Sequence, residues 1–165
     1  MAATAQNHME PLRSGDGKKE EDREEDLEYS PFYGIEKGAV LQEARVFNEA
    51  HADPRKCQQV ITKLLYLLTQ GESLTKTEAS DVFFAVTKLF QHTDVHLRRM
   101  VYLVIKEVIP ASDEVIIITS SLMKDMNNSN ELYRANAIRV LCRIIDPSML
   151  LQIERYLKQA VVDRS

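Results

Sequence analysis

His92 and His96 stand four residues apart, a spacing at which two imidazoles on one helical face can hold zinc. No HExxH pattern, third ligand or cysteine cluster accompanies them. His92 precedes Asp94, a helix-capping residue, and His96 falls in the turn after it, so the two need not share a face. They read as polar residues at a helix start. Lys106–Glu107 and Asp113–Glu114 set titratable groups side by side, as acid–base chemistry would require, but paired charges at helix ends are ordinarily solvated. A phosphate-cradling P-loop, a GxGxxG turn and a GxSxG elbow are all absent from the sequence. No catalytic, cofactor-binding or metal-binding residue is assigned, and the sequence argues against an enzyme.

Other side chains suit contact better than chemistry. Arg98 and Arg134 sit at equivalent places near two helix starts, where a cation gains nothing from the helix dipole. Two readings follow: a recurrent Arg–carboxylate or Arg–carbonyl bond between repeats, or a contact with a partner. Phe84 lies about 100° around its helix from Phe83, off the main apolar stripe and beside Thr87 and Gln91. It is either buried against the next repeat or an apolar anchor for a partner, because aromatic anchors dominate interfaces. Phe83, Phe84 and Thr87 form the candidate partner-binding set.

The elements that must position these residues are helices. Asp53 caps a helix with Pro54 in its first turn, and Gly71 ends it; Val60, Ile61, Leu64, Leu65 and Leu68 make its stripe. Thr75 and Glu78 form a capping-box pattern opening a helix to about Gln91, with Ala79, Val82, Phe83, Val86, Leu89 and Phe90 on one face. Asp94 caps the next, which Pro110 stops; Ser112, Asn130 and Asp146–Pro147 open three more. The run Val115–Thr119 has strand propensity, but Leu122, Met123 and Met126 continue a helical spacing across it. A shorter helix is expected over residues 35–48.

Two of these segments repeat at an offset of about 36 residues: Asp94, Arg98, Val101, Val104 and Ile105 align with Asn130, Arg134, Ala137, Val140 and Leu141. One such period is a helix pair. Pairs of this kind bury their apolar faces only by stacking, which predicts an all-α fold, an α-solenoid of antiparallel helix pairs of HEAT or adaptin type, over residues 31–165. Residues 1–30 are polar, with seven acids and three bases in Lys18–Glu28, and are expected to form a disordered acidic tail. No polar capping repeat follows the last helix. Tyr156, Leu157, Ala160 and Val161 are therefore expected to leave an apolar solenoid end partly open.

Net charge is -4, and the part after the tail is near neutral, with neither a field for nucleic acid nor a polybasic membrane anchor. Cys57 and Cys142, the two cysteines, sit in apolar helical runs and read as reduced, buried thiols of a cytosolic protein. Signal-peptide and membrane-spanning apolar stretches are absent from the sequence.

GIEKGAVLQEARVFNE (34–49), ITKLLYLLTQGE (61–72), FFAVTKLFQ (83–91), LRRMVYLVIKE (97–107), DEVIIITSSLMKDM (113–126) and YRANAIRVLCRIID (133–146) together resemble the N-terminal trunk of the coatomer gamma family. The acidic stretch before Ser30–Tyr33 is most similar to plant members. The resemblance implies an adaptin-like α-solenoid of the COPI vesicle coat, without enzymatic activity or cofactor. Such trunks assemble with the beta, delta and zeta subunits and are recruited by a GTP-loaded Arf-family GTPase. They are cytoplasmic, peripheral on Golgi membrane and COPI-coated vesicles, and serve Golgi-to-ER retrograde and intra-Golgi transport. The family's chains are several times longer and carry a further trunk and an appendage. The rival readings are a free-standing helical-repeat binding module of TPR or HEAT type, although the TPR consensus is absent, and a truncated product without independent coat function.

Overall fold

Side-chain caps set the helix boundaries. In this computed structural model, which describes residues 30–108, 115–145 and 147–164, Asp53 Oδ1 accepts from the Arg55 and Lys56 N–H groups at 2.8 and 3.5 Å. That opens helix α2 (Pro54–Thr69), after the short α1 (Lys37–Glu43) and its 3-10 continuation Ala44–Asn48. Gly71, at φ +91°, lets the chain leave α2: Glu72 N–H returns to Leu67 O and Gly71 N–H to Leu68 O. Thr75 and Glu78 close a reciprocal capping box on α3 (Lys76–Thr87), which tightens into a 3-10 turn at Lys88–Gln91. Each such cap contributes about 1 kcal/mol.

Helices α4 (Val95–Val108), α5 (Val115–Met126), α6 (Glu131–Ile144) and α7 (Pro147–Val161) complete the chain. The 115–119 run is helical, as its continued spacing requires. Asp94 Oδ1 accepts from Leu97 N–H at 2.7 Å and Asn130 Oδ1 from Leu132 N–H at 2.9 Å, so the two repeats start on the same device. Pro110, Ser112, Asp113, Glu114, Asp146 and the acidic run lie outside the described residues. Among the described residues every element is helical.

The chain divides into Met1–Gly34 and Ile35–Ser165. Of the first unit, residues 30–34 are described; they make a turn in which Tyr33 N–H donates to Ser30 O at 3.0 Å. The second unit is a two-layer stack. Helices α2, α4 and α6 lie side by side in one layer. In the other, the 3-10 turn after α1 packs on α3, and α5 packs on α7; α1 meets α2, α3 meets α4 and α5 meets α6 across the layers. Ile61, Leu64, Phe83, Leu97, Ile105, Leu122, Leu141 and Ile153 are buried between them. Burial of one such side chain is worth about 2 kcal/mol. The repeat register holds in the core, since Val101, Val104 and Ile105 are buried as are their equivalents Ala137, Val140 and Leu141. This is the all-α solenoid that the 36-residue period requires.

Candidate interaction surfaces

The repeated arginines are held by carboxylates. Arg98, on the first turn of α4, donates from Nη2 to Asp125 Oδ2 on α5 at 2.6 Å and to the Tyr102 hydroxyl at 2.9 Å. The Tyr102 O–H donates to the same carboxylate oxygen at 2.8 Å. Arg98, Tyr102 and Asp125 are all buried. Three rings surround the guanidinium: Tyr133 at 4.3 Å, Phe90 at 5.4 Å and Tyr102 at 5.7 Å from the arginine carbon to the ring centroid. Arg98 Nε makes no hydrogen bond, and the π faces of the rings are its electrostatic counterpart. Burial works against the Arg98 charge, but the Tyr102 and Asp125 bonds outweigh it and hold the guanidinium above its ordinary range. Burial first, then the bond to Asp125, pushes the Tyr102 hydroxyl well above its usual pKa. The cluster is a fixed, charged brace and offers no group poised for proton transfer.

Arg134 repeats the device in a half-buried setting. Its guanidinium meets Asp163 at 3.1 Å, just past α7, and donates to the Asn128 and Ser129 carbonyls at 3.1 Å. Both arginines therefore reach an aspartate at the far end of the next helix, within their own repeat. The carboxylate bonds thus lie within repeats and not between them, whereas Arg134 does make the carbonyl bond between repeats that was the other form expected. What crosses the repeat boundary is the Tyr133 ring over Arg98 and the carbonyl bonds of Arg134. The sequence signal for these partners was available: Asp125 and Asp163 follow their arginines by nearly the same interval.

The candidate partner-binding set divides. Phe83 is core, only 1% exposed, because it lies on the Ala79–Val82–Val86 stripe. It is not a surface contact. Phe84 is 40% exposed and holds its ring edge-on to Phe83, with centroids 5.7 Å apart. Thr87, half-buried, donates its hydroxyl back to Phe84 O at 2.8 Å. The surface part of the set is thus Phe84 with Thr87, on a helix body fixed by its capping box.

Tyr156 and Leu157, assigned to an open end, are half-buried against the core, whereas Val161 is 85% exposed. Tyr156 and Ala160 form a wall of a cleft of about 490 Å³ that Ile138, Arg134 and Asp163 complete. Leu103 is 50% exposed. Cys57 is buried and Cys142 exposed, which corrects the reading of two buried thiols. Burial, with Asp53 and Glu49 adding to it, pushes the Cys57 thiol up to about 11. His92 Nδ1 accepts from the Asp94 N–H at 3.0 Å, and His96 is exposed. Among the described residues no group of three or more His, Cys, Asp or Glu side chains is placed to hold a metal.

A stack of helix pairs tied by a buried charged brace defines a helical-repeat fold. Residues 36–165 match the adaptin N terminal region family, and the chain belongs to it. It is 73% identical over 148 residues to the coatomer subunit gamma of Arabidopsis thaliana, covering 90% of this chain and 17% of the relative. It is 72% identical over 147 residues to coatomer subunit gamma-1 of Oryza sativa subsp. japonica, covering 89% and 17%. To coatomer subunit gamma-2 of Homo sapiens it is 58% identical over 135 residues, covering 82% and 16%. The chain thus spans about a sixth of the length of these relatives. The resemblance read from the six stretches extends over most of the chain.

Proposed function

We propose that this chain is a trunk segment of a non-enzymatic vesicle-coat subunit of the coatomer gamma kind, acting as a protein-binding scaffold. It serves COPI-mediated Golgi-to-ER retrograde and intra-Golgi transport, in the cytoplasm and peripherally on Golgi membrane. Its partners are the beta, delta and zeta coat subunits and an Arf-family GTPase in the GTP form. The observation that carries this reading is the 73% identity to a plant coatomer subunit gamma along 90% of the chain. A helical-repeat chain works through the extended surface that its stacked helices present.

The GTPase contact is placed on α3, at Phe84 with Thr87. An aromatic ring on a stiff helix meets a partner at low ordering cost, and the GTP form offers ordered switch segments to read. Co-expression of the chain with the beta, delta and zeta subunits tests the scaffold role. Co-elution of at least one of them on size exclusion supports it; separate elution of all three overturns it for this segment.

A further inference from the structure

The outer side of the α2–α4–α6 layer carries a charge pattern that the coat reading does not use. On α4, Leu97, Val101, Val104, Ile105 and Val108 point into the core, which turns Arg99, Leu103 and Lys106 outward at helical spacing. On α6, Ala137, Val140 and Leu141 are buried, which turns Leu132, Arg139 and Arg143 outward. The two helices lie side by side, and the Tyr133 ring over Arg98 joins them near their starts. In the repeat register Arg139 is level with Leu103. Arg99, Arg139 and Arg143 are exposed and have no ion-pair partner among the described residues. Lys106 has only its neighbour Glu107, at 3.5 Å and half-exposed. Leu103, one turn from both Arg99 and Lys106 on α4, is 50% exposed, and Leu132, on the Arg139 side of α6, is 41% exposed.

We propose that this α4–α6 face is a docking surface for an acidic, amphipathic protein segment, whose carboxylates meet Arg99, Lys106, Arg139 and Arg143 and whose apolar side chains cover Leu103 and Leu132. Unpaired guanidiniums are suited to bidentate carboxylate recognition. The leucines decide between a peptide and a flat anionic surface. A leucine is shorter than the arginines and lysine around it, so it is recessed beneath their heads. A plane of headgroups touches the cations first, whereas a peptide side chain reaches between them. The carboxylates of Glu107 and Glu131 on the same helices also repel a uniformly anionic plane, and a peptide accommodates them by register. This inference is independent of the coat reading.

The test uses the full chain and a synthetic peptide of repeated Glu-Glu-Leu triplets, with the Gln-Gln-Leu peptide, phosphatidylserine vesicles and a single-stranded RNA as comparisons. The acidic peptide is expected to bind, with affinity falling as salt rises, and the glutamine peptide to bind about tenfold or more weaker. The R99E/R139E/R143E variant is expected to lose binding, with an unchanged helical spectrum because all three side chains are exposed. Leu103→Ala is expected to weaken it about fivefold through lost apolar contact. Should charge reversal disturb folding, R99Q/R139Q/R143Q decides the point. Equal binding of both peptides, retention of binding in the charge variants, or binding of vesicles or RNA in place of the peptide overturns the proposal.

Discussion

Arg98 and Asp125 meet at 2.6 Å between α4 and α5, each with less than a tenth of its side chain exposed, beneath the ring that Tyr133 contributes from the following repeat. One contact thus ties the two helices of a repeat together, and its lid ties that repeat to the next. Two charges in this setting are costly to desolvate, so the pair is weak as a source of net stability but strict in its geometry. Removing one member leaves the other buried and unpaired.

Asp125→Ala is therefore expected to destabilise the fold by about 3–5 kcal/mol, far more than the loss of an exposed pair. The double variant Arg98→Met with Asp125→Leu, which removes both charges, is expected to recover most of that loss. Urea denaturation of the three proteins checks this. Equal destabilisation by the single and double variants would mean that the aromatic packing, and not the charge, was at stake.

The capping box makes acid stability a readable quantity. Glu78 is held below its ordinary pKa of 4.5 chiefly by the Thr75 backbone N–H, with Lys37 adding to it at 3.2 Å. A carboxyl whose folded pKa is lowered contributes fully above its unfolded pKa, and the contribution disappears as pH falls through the folded value. The stability difference between the parent chain and Glu78→Gln is thus expected above pH 4.5 and is expected to close below it. Parallel melts across that range measure it. A difference that does not change with pH would assign the cap to shape alone.

The cysteines should separate kinetically. Cys142 is exposed, whereas Cys57 is buried and its thiol is pushed up to about 11, which suppresses the thiolate that reacts. In the folded chain a thiol reagent at mildly alkaline pH is expected to label one site rapidly, and Cys142→Ser to abolish that phase. Urea is expected to release the second. Two equally fast thiols would contradict the placement of α2 in the stack.

Much of this was legible in the sequence because caps and stripes are local. Asp53, Thr75, Glu78, Asp94 and Asn130 announce helix starts by side-chain chemistry, and each cap forms. The misplaced Phe83 and Cys142 share one physical origin, which is that neighbours on a helix point about 100° apart. Phe83 already belonged to the Ala79–Val82–Val86 stripe, so grouping it with Phe84 joined a core residue to a surface one. Cys142 sits in an apolar run, yet Arg139 and Arg143 bracket it on the outer face while Leu141 points inward. The Arg98 brace was half readable. The repeat marked the arginine and, by its interval, Asp125, but Tyr133 becomes its lid only once α6 is packed.

The proposed role as a coat scaffold turns on a GTPase reading α3. It is checked by the affinity of the chain for a purified Arf-family GTPase, loaded with a non-hydrolysable GTP analogue or with GDP, and repeated with Phe84→Ala. Binding is expected to the GTP form only. An exposed aromatic anchor is worth about 2 kcal/mol, so Phe84→Ala is expected to weaken binding roughly 30-fold while the melting curve stays in place. Binding that ignores the nucleotide, or that survives Phe84→Ala in a folded chain, would contradict the claim.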